Sequence, residues 1–374
     1  MTISSSRVSR RRFLAGTAAV GAALVERRGW AGAVGSDAES ARYVLHFAQP
    51  AATWPDALPV GNGRLGAMVF GEPAMDRVQL NEESIWDGER RDRNNPGAGE
   101  AVPKIRELLF AGKIAEAEAL AKSDMLSVPQ RMPCYQTLGD LRLDFAASGL
   151  TAGAKVDDYR LELNLDTAVA TTSFTHEGTH YVREVFSSAP DQVIVVRMTA
   201  KGPGKIDFAA RMDRPAHFTT SSMGRDRLVL EGEAIPVNDN PGLAVKENPV
   251  GIRFHSELLA LAAGGTVTSE AGVLTVANAT SVTLLIDCAT SYRYPAGAAA
   301  MQAAVDRNLK AANARTYEEL RARHVADHQR FFRRAEIRLG DDANAAMPTD
   351  RRIQRIKDGG EDVGLLPIYF QFGR

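Results

Sequence analysis

The chain has 374 residues, of which 44% are hydrophobic and 24% charged, ordinary values for a globular protein able to bury a core, and the length alone suggests two domains. Its 45 basic and 46 acidic residues leave a formal net charge of −1, so no whole-chain field draws it to nucleic acid or anionic lipid. Two cysteines, Cys134 and Cys288, exclude a disulfide-rich scaffold and a cysteine-based zinc cluster; export would permit one bridge between them, though nothing local marks either as paired.

The first element is a targeting signal. Ser9-Arg10-Arg11-Arg12-Phe13-Leu14 matches the twin-arginine export pattern, and residues 13–25 are apolar but too few to cross a bilayer as a helix. Ala31-Gly32-Ala33 fits a small-x-small cleavage site, so residues 1–33 are expected to be a signal peptide and the mature protein to be periplasmic or extracellular. No other run is long enough to span a membrane, so no membrane association is expected after cleavage.

Glycine-rich sequence follows in Pro59-Val60-Gly61-Asn62-Gly63-Arg64-Leu65-Gly66, where glycine permits positive φ and close backbone approach; 67–70 is a strand candidate. Residues 100–109 and 114–120 have helical spacing, separated by Gly112. From Leu138 the pattern is β, with strands predicted over 141–145, 159–164, 169–174, 181–187, 193–199 and 206–212. Further strands are predicted over 228–232, 250–259, 273–276 and 281–286. Many alternate, as in Leu161-Glu162-Leu163-Asn164-Leu165, which buries one face and wets the other. So many closely spaced strands predict a mainly β fold, a large antiparallel sandwich. Near Gly297 the pattern changes: 300–332 reads as one or more helices, 340–349 as a loop, and 353–356 and 365–372 as helices again.

Three motifs bear on chemistry. His176-Glu177-Gly178-Thr179-His180 matches the H-E-x-x-H zinc pattern, which needs both histidines one helical turn apart. Its flanks are rich in β-branched and aromatic residues with Gly178 in the middle, so a hairpin with Glu-Gly at its tip is expected and no metal site. Asn278-Ala279-Thr280 matches an N-glycosylation triplet, a chance match of little weight. Glu82-Glu83 stands in Leu80-Asn81-Glu82-Glu83-Ser84-Ile85-Trp86-Asp87-Gly88, where an indole face lies near amides and carboxylates. Two readings stay open there: contact with a sugar, or a structural turn in which Asn81 and Glu82 satisfy backbone N–H groups.

Longer strings carry a resemblance. Trp54, the run Ala57 to Gly71 and Gln79-Leu80-Asn81-Glu82-Glu83-Ser84-Ile85-Trp86 look like the opening of glycoside hydrolase family 95, the α-L-fucosidases. Asn94-Asn95-Pro96, Tyr135-Gln136-Thr137-Leu138-Gly139-Asp140-Leu141 and Arg183-Glu184-Val185-Phe186-Ser187-Ser188 continue it in order. Asp327-His328, Leu339-Gly340, Pro348-Thr349-Asp350-Arg351-Arg352 and Tyr369-Phe370-Gln371-Phe372-Gly373-Arg374 extend it to the last residue. The resemblance implies a supersandwich-like N-terminal β domain over 41–293, a helical linker over 297–335, and the start of an (α/α)6 catalytic barrel over 336–374.

It also implies an inverting release of terminal fucose from fucosylated glycans, with a glutamic acid protonating the leaving oxygen and a water held by asparagines and an aspartate. In the family those residues lie beyond the segment matched by 369–374. No catalytic residue is therefore assigned, and the chain alone is expected to be inactive. Asn62, Arg64, Asn81, Glu82 and Trp86 are the candidates for the sandwich face nearest the barrel, bracing the interface or touching sugar. No cofactor is expected. The competing readings are a non-catalytic carbohydrate-binding sandwich and the front domain of a phosphorylase or hydrolase acting on glucosides.

Overall fold

A computed structural model describes residues 42–88, 92–128, 133–235 and 250–374. The expected signal peptide and its cleavage site lie outside the described residues. In chain order the first strands are β1 (Val44–Phe47), β2 (Leu58–Gly61), β3 (Leu65–Val69) and β4 (Met75–Glu82). A helical hairpin, α1 (Ala98–Phe110) and α2 (Ile114–Leu120), precedes β5 (Gly139–Asp144), β6 (Asp157–Asn164), β7 (Val169–His176) and β8 (Thr179–Ser188). Next come β9 (Val193–Lys201), β10 (Ile206–Asp213), β11 (Phe218–Met223), β12 (Arg227–Ala234), β13 (Ile252–Ala263), β14 (Thr266–Glu270), β15 (Val273–Ala279) and β16 (Ser281–Thr290). Four helices close the chain: α3 (Ala298–Asn313), α4 (Tyr317–Phe332), α5 (Thr349–Lys357) and α6 (Leu365–Phe372).

Pairing is antiparallel throughout. A nine-stranded sheet runs β1-β6-β7-β8-β9-β16-β13-β12-β11, and a seven-stranded sheet runs β14-β15-β10-β5-β4-β3-β2. The two pack face to face as the predicted sandwich. Val78 and Leu80 of β4, Leu141 and Leu143 of β5, and Phe254 and Leu258 of β13 all point into one shared core. A buried ion pair crosses that core: Arg183 of β8 meets Asp76 of β4 at 3.1 Å, and its guanidinium lies 3.9 Å over the Phe145 ring. Arg183 also donates to the carbonyls of Glu72 (2.7 Å) and Pro73 (2.5 Å), so its charge is met on several sides.

The turn between β7 and β8 is the expected hairpin tip. Glu177 and Gly178 both have positive φ (47° and 75°), the two-residue geometry that matches strand twist. His176 and His180 therefore sit on adjacent strands, not on one helical face. Both cysteines are free, Cys134 exposed and Cys288 buried, so no bridge joins them.

The predicted helical stretch 300–332 is split. Thr316 opens α4 with a capping box: its Oγ1 accepts the Glu319 N–H at 3.2 Å, and the Glu319 carboxylate accepts the Thr316 N–H at 2.8 Å. Helix α3 covers the outer face of the nine-stranded sheet, packing Met301, Val305 and Leu309 on Val195, Leu259 and Leu285. No helix among the described residues is long and apolar enough to cross a membrane.

Candidate functional site

The β2–β3 hairpin tip is built by Asn62, Gly63 and Arg64. The Asn62 side-chain oxygen accepts the N–H groups of Arg64 (2.9 Å) and Leu65 (2.8 Å), and Gly63 supplies the positive φ (88°) that the turn needs. The Asn62 amide then donates to the Ser188 carbonyl at 3.0 Å, tying the tip to the end of β8. Arg64 reaches further. It donates to Gln192 Oε1 (2.7 Å), the Gln192 carbonyl (2.8 Å), the Cys288 carbonyl (2.5 Å) and Asp287 Oδ1 (2.6 Å). The other Asp287 oxygen accepts from Asn308 of α3 at 2.9 Å. One arginine thus links the seven-stranded sheet, the β8–β9 turn, β16 and, through Asp287, helix α3. Burial pushes the Asp287 carboxyl above the usual range, opposed by Arg64.

Glu82 ends β4 and is fully buried. Its Oε2 accepts the Ser84 N–H (2.8 Å) and hydroxyl (2.6 Å), and Ser84 Oγ meets Thr290 Oγ1 at 2.6 Å. Its Oε1 has no hydrogen-bond partner, with Arg293 Nε 3.9 Å away. Burial raises the Glu82 carboxyl, countered by the Ser84 bonds and by Arg64 and Arg293. Glu82 serves the turn as one sequence reading expected. Asn81 does not: its oxygen accepts the Tyr135 hydroxyl at 3.0 Å. Alternation along β4 turns Asn81 to the outer face of the seven-stranded sheet. Trp86 joins it there, its ring edge-on to Tyr135 at 5.7 Å and its Nε1 donating to the Glu83 carbonyl at 2.9 Å. Burial, then Glu82, pushes the Tyr135 hydroxyl up to about 12. The five candidates therefore divide: Asn62, Arg64 and Glu82 form an internal bracket, and Asn81 and Trp86 face outward.

A cavity of about 340 Å³ lies between the hairpin tip and α4, lined among others by Asn62, Ser187, His324, Asp327, His328 and Arg374. Residues four apart on α4 make its wall. His324 stacks on Phe186 (4.7 Å) and faces His328 (6.4 Å), which stacks on Phe332 (5.1 Å). Both imidazoles donate Nε2–H to backbone carbonyls, His324 to Ala168 (3.2 Å) and His328 to Leu165 (2.8 Å). Burial depresses the His324 pKa to about 4 and lowers that of His328. Both are neutral at neutral pH, so this is an anchored aromatic column. Among the described residues Asp327 is the one carboxylate lining the cavity, whereas acid–base glycoside cleavage needs two. The i, i+4, i+8 spacing of His324, His328 and Phe332 was the sequence signal for this wall. Among the described residues no cluster of His, Cys, Asp or Glu is arranged to hold a metal ion.

Residues 45–295 match the N-terminal domain of glycosyl hydrolase family 65, and residues 316–374 match the catalytic domain of glycosyl hydrolase family 95. The chain is 31% identical over 354 residues to Alpha-L-fucosidase 2 of Arabidopsis thaliana, covering 88% of this chain and 41% of that protein. It is 26% identical over 373 residues to Probable alpha-fucosidase A of Aspergillus niger, covering 91% of this chain and 44% of that one. The chain thus spans less than half the length of these curated relatives. Among solved structures, a putative kojibiose phosphorylase from human microbiome aligns with a TM-score of 0.47 at 9% identity, over 82% of this chain and 40% of that chain. A family GH92 alpha-mannosidase from Bacteroides thetaiotaomicron aligns with a TM-score of 0.28 at 7% identity, over 81% of this chain and 38% of that chain.

Proposed function

The chain belongs to glycoside hydrolase family 95, and on that premise we propose that it is the N-terminal part of an exported glycosidase that releases terminal α-L-fucose from glycans with inversion. The observation that carries this reading is the order of the two domain matches, a family-65-type sandwich followed by a family-95 catalytic segment, aligned with α-fucosidases over most of the chain. In this reading the general acid and the water-positioning groups stand in the part of the relatives' length that residues 1–374 do not span. Arg64 braces the sandwich against α3, because Asp287 joins its fork to Asn308, while Asn62 ties the hairpin tip to β8 and Glu82 holds the turn at Ser84.

The test uses the full-length protein and 2′-fucosyllactose, with the released sugar followed by NMR from the first minutes. β-L-fucose appearing before its mutarotation supports inversion. Release of the α anomer first, or no release at all, refutes the reading. For export, support comes from Arg10-Arg11 ahead of the short apolar run; replacing both with lysine is expected to retain the protein in the cytoplasm, and unimpaired export would contradict the twin-arginine route.

A further inference from the structure

We propose that the outer face of the seven-stranded sheet holds a neutral oligosaccharide. The proposal goes beyond the hydrolase reading and does not depend on it. Trp54, Trp86 and Tyr135 are 55%, 39% and 39% exposed on this side of the sandwich. In each case the polar edge of the ring is already bonded. Trp54 Nε1 donates to Gln79 Oε1 (2.5 Å), Trp86 Nε1 to the Glu83 carbonyl (2.9 Å) and the Tyr135 hydroxyl to Asn81 Oδ1 (3.0 Å). What solvent meets is apolar ring surface held in place. Trp54 is fixed from its own side as well, since the Thr53 N–H and hydroxyl both donate to Asp56 Oδ2 (3.1 and 2.6 Å) across the short turn that carries it. A pyranose ring offers an apolar C–H face to such a surface and hydroxyls at its rim.

The polar groups suit those hydroxyls. Gln79 and Asn81 are alternate residues on one face of β4, roughly 7 Å apart, the scale of neighbouring sugar rings. Each uses its amide oxygen to hold an aromatic residue, and neither amide NH₂ has a partner among the described residues. Directly across from Gln79 is Asp140, only 8% exposed. Its Oδ2 lies 3.0 Å from both Arg77 and Arg142, while its Oδ1 has no hydrogen-bond partner. That oxygen lies beneath the surface, so the amide NH₂ groups of Gln79 and Asn81 are what this face offers to a sugar hydroxyl. The charges here balance, Arg77 and Arg142 against Asp140 and Asp213, so nothing selects a polyanion. Helices α3 and α4 pack on the opposite outer face of the sandwich, so a glycan on this face does not compete with anything bound at α4.

The chain has three tryptophans, Trp30, Trp54 and Trp86, so indole emission reports largely on this face. The 374-residue chain is titrated with lacto-N-tetraose and with cellotetraose, neither of which carries fucose. A saturable change in emission is expected with at least one of them. Trp54→Ala and Trp86→Ala are each expected to weaken binding roughly tenfold, with Trp54→Phe and Trp86→Phe recovering most of it. Melting temperatures of all four variants are measured alongside; both rings are exposed enough for truncation to leave the fold standing. The proposal is overturned if neither sugar gives a saturable change or if folded alanine variants bind as tightly as the parent. None of these outcomes touches the fucosidase reading, which rests on product release.

Discussion

Arg64→Ala should unfasten the hairpin tip from β16 and α3, and the structure sets the scale. The Arg64 side chain is 14% exposed and its partner Asp287 1%. Removing the arginine leaves a buried carboxylate with only the Asn308 amide and the Cys288 N–H as donors. Breaking a buried pair from one side costs about 3–5 kcal/mol. For a domain of this size, each 1 kcal/mol moves the melting temperature by about 2–4 °C, so a fall of roughly 10 °C is expected. Arg64→Lys keeps the charge but cannot reach Gln192, Cys288 and Asp287 at once, so it should lose about half as much. A pH signature separates this cause from general disruption. Burial holds the Asp287 pKa above its unfolded value, so the folded state binds the extra proton and stability falls as pH rises through that window. Without Arg64 the folded pKa rises further. The Arg64→Ala deficit should therefore be smaller near pH 5 than near pH 8, read by circular dichroism melts. A variant melting within about 1 °C of wild type, or a deficit that grows on acidification, would refute the bracket.

Gly139→Ala should be far worse than Gly63→Ala. A Cβ at Gly139 would lie 2.3 Å from the Asp213 carbonyl oxygen, across the β5–β10 pairing, whereas at Gly63 nothing lies within 4 Å and only positive-φ strain of about 1 kcal/mol remains. Equal melting temperatures would contradict that close approach. His255 sits between Glu231 (2.7 Å) and Glu257 (2.9 Å); burial opposes its charge, but the two carboxylates raise its pKa above the ordinary value. Its contribution is full below the ordinary histidine pKa and is lost as pH rises through the raised one, so His255→Gln should flatten the decline in urea stability above about pH 6.5. An unchanged slope counts against this. Arg352, 3% exposed, forks onto Asp342 and Asp362, and Arg352→Met should cost about 3–5 kcal/mol locally. Limited proteolysis should then cut between 336 and 374 while the sandwich survives; an uncut segment argues that the fork is dispensable.

The interior strands were legible and the borders were not. Strands predicted at 169–174, 193–199 and 281–286 fall within β7, β9 and β16, which are paired on both flanks and rich in β-branched residues. The strands that the pattern missed include β1 and β11, the two edges of the nine-stranded sheet, and β2 and β14, the two edges of the other. An edge strand has one unpaired flank and needs less apolar sequence to hold it, and β2 even contains Pro59, which only an edge tolerates. The fifth miss, β4, hid its period because Asp76 and Glu82 point inward, Asp76 against Arg183, a partner 107 residues away. The site failed to show itself for the same reason. Arg64 and Asp287 are 223 residues apart, and no local spacing announces that one will clasp the other. The outward pair was clearer, because Asn81 and Trp86 share one short string whose composition already marked an aromatic and amide surface.

The place of β16 in the nine-stranded sheet governs the order in which this protein is born. Among the described residues it is the last strand of this sheet in chain order, all ten of its residues are buried, and it inserts between β9 and β13. Until residue 290 has emerged, that sheet is two separate ribbons, β1-β6-β7-β8-β9 and β13-β12-β11, each with an apolar margin waiting for a neighbour. A nascent chain at that stage presents two sticky seams, the kind of exposure that invites pairing with another chain or capture by a chaperone. Closure is then a single late event, a zipper pulled from both sides at once, and only after it does a floor exist for α3 to settle on.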